Sequence, residues 1–289
     1  MDYRIDQFWA GKDIKTYLRK CHGYSSRSLT KLRKVPDGIL KNGVHARTID
    51  ILQAGDRLHI NFPTEENVLI PSEIPVPIVY EDDWILVYNK PPFMASHTTK
   101  AKKEDTLANV YAAHCQKSGV FAPFRPIGRL DRNTSGLMVI AKNRHAATVL
   151  QHHVTKEYYG FGCGKMPNSE GIIEAAIGRP DENSTKRLVM EDGQYAKTAY
   201  TCYGNFGSYC FCSFRLYTGR THQIRTHMEY MGAPLAGDEL YGGSMEHIQR
   251  HALHCGRVEF VHPKTGRHTV FTAPLPEDMR VFFNMEYTK

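Results

Sequence analysis

The segment Arg129-Leu130-Asp131-Arg132-Asn133-Thr134-Ser135-Gly136 sets one carboxylate between two guanidinium groups and then enters the apolar run Leu137-Met138-Val139-Ile140-Ala141. It reads as a turn leading into a buried strand. Charge beside a core segment must be paired or hydrogen-bonded, because removing it from water without a partner is costly. An acid serving only solubility has no use for that scaffold, so Asp131 is the first candidate for chemistry. The competing reading is a structural Arg–Asp pair closing the turn, since such pairs resemble active sites.

A candidate partner lies further on. Thr218-Gly219-Arg220-Thr221-His222-Gln223-Ile224-Arg225-Thr226-His227 follows the alternating run Tyr209 to Tyr217. A strand is therefore expected to pass through a glycine turn into a helix that starts near Thr221, a good cap, and ends near Gly232. Three-residue spacing puts His222 and Arg225 on one face. A cation presented beside a core suits a catalytic carboxylate, because it holds the acid charged when water is excluded. His222 with His227, and His152 with His153, are the nearest approach to a metal cluster. The former pair is five apart with no Glu between them, a poor match to helical zinc ligands, so these side chains are expected to be solvated or hydrogen-bonded.

The elements that must position these groups fall into two sets. Residues 1–62 hold twelve Lys and Arg against six Asp, nearly all of the chain's net +7. There, Ser25 to Lys34 reads as a short serine-capped helix with Arg27, Lys31 and Lys34 at i, i+4 and i+7, a basic stripe opposite Leu29 and Leu32. An Asn42-Gly43 hairpin signal and an Ala54-Gly55-Asp56 turn follow. Such asymmetry favours a polyanion, with nucleic acid preferred to membrane for want of a strongly apolar helical face. A proline- and acid-rich bridge over 63–77 marks the boundary to residues 78–289. Beyond it, strands are expected at 84–88, 137–141, 158–163, 198–203, 208–217, 257–261 and 269–272, and helices at 106–117, 144–153 and 221–231. Strands following strands with occasional helices argue α+β, with a mixed, largely antiparallel sheet.

In order and spacing from about residue 75 onward, the chain resembles the RluA family of pseudouridine synthases. The resemblance rests on Asn89-Lys90-Pro91, Arg129-Leu130-Asp131 with Thr134-Ser135-Gly136, Lys156-Glu157-Tyr158, Thr218 to Arg225, Gly237-Asp238 with Tyr241-Gly242, and Leu253-His254 with His262-Pro263. It departs at Gly128, where the family usually carries histidine. The family implies a catalytic domain that isomerises uridine to pseudouridine in structured ribosomal or transfer RNA. Asp131 would act at the ribose, either as nucleophile at C1′ or by assisting departure of the base. Arg225 would be its cation. Tyr158 would stack on the target base while its hydroxyl handles a proton. Arg129 matches a position that in some relatives enters the gap left by the extruded nucleotide. The basic first segment resembles the small alpha-L RNA-binding domain, with Arg27, Lys31 and Lys34 as its contacts.

At 289 residues, 41% hydrophobic and 23% charged, the chain has the composition of a globular protein with ample core. No apolar leader or membrane span is apparent, and no Walker loop or dinucleotide fingerprint; the expectation is a cytoplasmic monomer without metal or cofactor. Seven scattered cysteines without a Cys-x-x-Cys argue for reduced thiols. Two rivals stand beside the synthase. A non-catalytic RNA-binding factor predicts loss of Asp131, Tyr158 or Arg225, and all three are present. A zinc-dependent RNA deaminase requires a ligand set with Glu and Cys-x-x-Cys that the sequence lacks.

Overall fold

The computed structural model describes residues 1–24, 26–61, 69–99, 102–120, 122–151 and 153–288. The chain divides into two compact units, Met1–Glu66 and Asn67–Lys289.

In the first unit β1 (Asp2–Arg4), α1 (Ile14–Lys20), α2 (Ser26–Leu32), β2 (Ile39–Lys41), β3 (Val44–His45) and β4 (Arg57–Ile60) follow in order. The strands form an antiparallel sheet, β1-β4-β2-β3. The hairpin forms where Asn42 and Gly43 take φ of 53° and 82°, as a two-residue turn matching strand twist requires. Ile14, Tyr17 and Leu18 of α1 and Leu29 and Leu32 of α2 close a core over Ile39, Leu58 and Ile60. The helix expected over Ser25 to Lys34 stops at Leu32, four residues before Pro36. Lys31 and Lys34 are exposed. The Arg27 side chain lies outside what is described, as do Phe62 and residues 63–68 of the bridge.

The second unit runs β5 (Ile78–Glu81), β6 (Ile85–Lys90), α3 (Leu107–Ser118), β7 (Ser135–Ala141), α4 (Arg144–Leu150), β8 (Thr155–Cys163), β9 (Glu170–Glu174), β10 (Ile177–Gly178), β11 (Leu188–Val189), β12 (Lys197–Phe206), β13 (Tyr209–Leu216), α5 (Gln223–Tyr230), β14 (Leu253–Val261), β15 (His268–Thr272), α6 (Glu277–Arg280) and β16 (Tyr287–Thr288). The large sheet has the order β16-β12-β13-β8-β14-β7-β6-β5, with β9 beside β12 and β15 beside β14. All its ladders are antiparallel except β7–β14. This is the mixed, largely antiparallel α+β sheet that the strand pattern implied. Every residue of β7 is buried, and Leu107, Val110 and Tyr111 of α3, Leu150 of α4, and Ile224 and Met228 of α5 share its core. The bridge expected over 63–77 is bound to this unit from residue 69 on. Ser72 is buried, its N–H donates to Asn109 O at 3.1 Å, and Asn109 Nδ2 donates to Ile70 O at 2.7 Å.

Two helix boundaries differ from expectation. The helix expected at 144–153 ends at Leu150. That expected from Thr221 begins at Gln223, because His222 takes a left-handed conformation (φ 59°, ψ 19°) and interrupts it. Gln223 Oε1 accepts from Arg220 N at 2.9 Å and from Thr218 Oγ1 at 2.8 Å, which supplies the turn closure expected of a Thr221 hydroxyl. Among the described residues no helix is long and apolar enough to cross a membrane.

Candidate active site

The turn that presents Asp131 is pinned at every carbonyl from Leu130 to Asn133. Ser96 Oγ donates to Leu130 O at 2.8 Å, and Thr134 N to Asp131 O at 3.1 Å. Lys90 Nζ donates to Arg132 O at 3.2 Å, and Arg250 Nη1 to Asn133 O at 3.1 Å. Ser96, Lys90 and Arg250 are all buried. Satisfying these acceptors away from water removes the tendency of a polar turn to move toward solvent. Arg250 is itself held by Asp278, Nε to Oδ2 at 2.6 Å and Nη2 to Oδ1 at 2.9 Å. Lys90 gives its other two N–H groups to Pro91 O and Met94 O, both at 2.8 Å. Burial, with the Arg250 charge, pulls its ammonium down to about 7, against the opposing effect of Asp131.

The turn leads into β7 beside β14, where Ser135 faces His254 and Gly136 faces Cys255. A Cβ on Gly136 would stand 2.2 Å from Cys255 O, so only glycine permits this approach. Cys255 in turn pairs with Tyr158 of β8, which brings that ring across a single strand from the Asp131 turn. At Gly128 (φ +75°), where the family usually has histidine, a Cβ would lie 3.0 Å from Lys156 Nζ, which donates to Ile127 O at 2.7 Å. Lysine thus fills the space beside the backbone.

From α5, Arg225 Nη1 lies 3.6 Å from Asp131 Oδ2, and His222 Nε2 lies 3.9 Å from the same oxygen. Arg225 thus stands beside Asp131 as the resemblance implies, but the closest pairs lie elsewhere. The flanking guanidiniums do not clamp the acid: Arg132 Nε donates to Phe93 O at 3.1 Å, and Arg129 is exposed at the rim of the cleft. Nor is Asp131 the main partner of Arg225, whose Nε and Nη2 donate to Asp238 at 2.6 and 2.7 Å. The same guanidinium stacks on Tyr241 at 4.8 Å from its centroid. Tyr241 Oη lies 3.0 Å from His222 Nδ1 and accepts from Arg187 N at 2.9 Å.

Asp131, His222 and Arg225 face a cleft of about 730 Å³ lined also by Arg129, Tyr158, Arg215 and Tyr217 among others. Its volume is that of a small-molecule site, and its arginines suit a polyanion. Burial, reinforced by Cys255 and Asp131, pushes the Tyr158 hydroxyl well up, so it remains a phenol and a donor. Burial also holds His222 below its ordinary value, with Arg225 and Arg187 acting in the same direction and Asp131 against them. The imidazole is neutral at neutral pH. Burial lowers Arg225, but Asp238 and Asp131 outweigh it and leave the guanidinium raised and charged.

His227 is used structurally, Nδ1 2.9 Å from Thr198 Oγ1 and Nε2 3.0 Å from Ala175 O; His152 lies outside the described residues. Among those residues no group of three or more His, Cys, Asp or Glu could hold a metal ion. The sequence reading assigned no role to Asp238, Tyr241, Ser96 or Arg250. Only Asp238 and Tyr241 carried a signal, as part of Gly237-Asp238 and Tyr241-Gly242.

The family model for RNA pseudouridylate synthase matches residues 84–230, a span holding Asp131, Tyr158 and Arg225. The chain belongs to this family. It is an RNA pseudouridine synthase, an isomerase of uridine in RNA. A Bacillus subtilis protein named as an uncharacterized RNA pseudouridine synthase, YjbO, is 39% identical over 92% of this chain and 96% of its own length. A Xanthomonas campestris protein named ribosomal large subunit pseudouridine synthase D is 32% identical over 94% of this chain and 88% of its own. Among solved structures, human RNA pseudouridylate synthase domain containing 4 shares the fold at a TM-score of 0.58 and 20% identity, covering 72% of this chain and 93% of that one.

Proposed function

We propose that this synthase isomerises uridines in large-subunit ribosomal RNA without a cofactor, with Asp131 as the catalytic carboxylate. The observation that carries the assignment is the division of labour around Arg225. Asp238 takes two of its hydrogen bonds, so Asp131, at 3.6 Å, has the electrostatic benefit of the cation without being locked to it. Its carboxylate stays available to the cleft.

The reaction breaks N1–C1′, turns the base and forms C5–C1′; the C5 proton leaves and N1 gains one. Composition is unchanged, so side chains suffice. Asp131 serves the ribose, as nucleophile at C1′ or by stabilising it while the base departs, with the Arg225 guanidinium 3.6 Å away. Tyr158, a buried phenol, presents a ring to the base and a proton to the sugar side. Arg129 at the rim occupies the gap left by the extruded nucleotide. The first unit, with Arg27, Lys31 and Lys34, is a separate RNA-binding domain of alpha-L type.

The ribosomal assignment draws on the curated relatives named for that RNA. Pseudouridine mapping of ribosomal and transfer RNA from cells with and without the gene tests it, with an Asp131→Asn allele for complementation. Loss of a large-subunit site that this allele does not restore is the expected result. Loss confined to transfer RNA would overturn the substrate, and restoration by Asp131→Asn would overturn the residue.

A further inference from the structure

A second cavity, of about 340 Å³, adjoins the cleft and shares Arg220 and Thr221 with it. Its other charged walls are Arg179, Arg187 and Asp192. Three guanidiniums against one carboxylate need a cause. In the β10–β11 ribbon Ile177 faces Val189 and Gly178 faces Leu188, so Arg179 and Arg187 leave the ribbon at the next opposed position. Like charges opposite one another across a strand pair are destabilising.

The three side chains are anchored through backbone carbonyls rather than carboxylates. Arg179 Nη1 donates to Glu182 O at 2.8 Å, Arg187 Nη1 to Ser184 O at 3.4 Å, and Arg220 Nε to Tyr195 O at 2.9 Å. Among the described residues none of the three forms an ion pair. Each guanidinium is thus oriented, un-neutralised, and left with free N–H groups, the arrangement that takes a planar oxyanion on two prongs. The cavity is also tied to the chemistry. Arg187 N donates to Tyr241 Oη, and the ring of Tyr241 stacks on Arg225.

We propose that this cavity is a phosphate subsite that holds one backbone phosphodiester of the RNA strand beside the uridine in the cleft. The inference rests on the RNA reading above and adds to it the residues that fix the strand. Arg179 and Arg187 hold the phosphodiester from the ribbon side, and Arg220 from the side it shares with the cleft. Binding one anion relieves the repulsion across the ribbon and sets the ribose relative to Asp131.

The test compares wild type with Arg179→Gln, Arg187→Gln and the double variant, with Arg280→Gln on α6 as control. The probe is a large-subunit ribosomal RNA transcript carrying tritium at uridine C5; tritium release gives turnover and filter retention gives Kd, each over a range of salt. The double variant should raise KM and Kd about tenfold at 0.1 M salt. Its log–log salt slope should be flatter than wild type by about 0.7, the value for one phosphate contact on a single strand. Arg280→Gln should match wild type. An unchanged slope and KM in the double variant would overturn the subsite, as would a loss carried wholly by kcat. Absence of tritium release from wild type would count against the substrate reading instead, and the slope of Kd would still decide the subsite.

Discussion

Asp238→Asn and Asp131→Asn remove a carboxylate from the same guanidinium and are expected to cost very different amounts of stability. Arg225 and Asp238 have side chains only 8% and 1% exposed, joined at 2.6 Å. Removing one partner of such a pair leaves a buried charge and costs roughly 3–5 kcal/mol. For a unit spanning Asn67–Lys289 each kcal/mol corresponds to about 2–4 °C, so the melting temperature should fall by roughly 6–20 °C. Asp131 is 18% exposed and stands 3.6 Å from Arg225, beyond hydrogen-bond length. Its loss strands no donor, since Arg225 keeps Asp238, and the cost should stay within about 1 kcal/mol. Both variants should lose turnover, Asp131→Asn because the carboxylate is gone. In Asp238→Asn the folded fraction is also impaired, because Arg225 loses the two hydrogen bonds that fix it beside Asp131. Circular-dichroism melting and tritium release on the same preparations separate these effects. A melting loss in Asp131→Asn equal to that in Asp238→Asn would refute the argument, and so would appreciable turnover in Asp131→Asn.

Tyr158→Phe keeps the ring and removes the donor, so turnover should fall roughly 10²–10⁴-fold while RNA affinity holds; a wild-type rate would leave stacking as its only role. Lys90 is pulled down to about 7 in the folded protein, below its ordinary 10.5, so between those values the unfolded chain binds the extra proton and stability rises with pH. Urea unfolding at pH 7, 8 and 9 should show that rise, at most about 1.4 kcal/mol per pH unit, relative to Lys90→Met. Parallel curves would refute it. Deleting Met1–Glu66 should leave Asn67–Lys289 folded, with weaker RNA binding and a flatter salt slope. An unchanged slope would remove the first unit as an RNA binder.

What could be read from the sequence was what is decided locally. Asp131 stood out because its neighbours must pair or bond beside an apolar strand, and the Asn42-Gly43 turn because few residues tolerate its backbone. The alternating run before Thr218 likewise announced β13. The start of α5 was not legible, since the left-handed His222 depends on the Gln223 side chain capping backward. The ribbon at 177–189 has two residues per strand, too few for a period to show. The partners of the turn were hidden for another reason: Ser96, Lys90 and Arg250 are separated from it by tens to more than a hundred residues, and only the folded sheet brings them there. Asp238 was visible as a residue but not as the competitor of Asp131 for Arg225.

The parallel pairing of β7 with β14 also sets a schedule. The contacts that fix the Asp131 turn join residues far apart in sequence: Thr134 with His251 over 117 positions, Ser135 with His254 over 119, and Arg250 with Asp278 over a further 28. Closing such long loops is slow, and no amount of local order substitutes for it. On the ribosome, a nascent chain already containing Asp131, Tyr158 and Arg225 lacks the segment that seats the first of them until residue 278 has left the exit tunnel. The site is therefore assembled only once that long-range pairing is made, however early its own residues emerge.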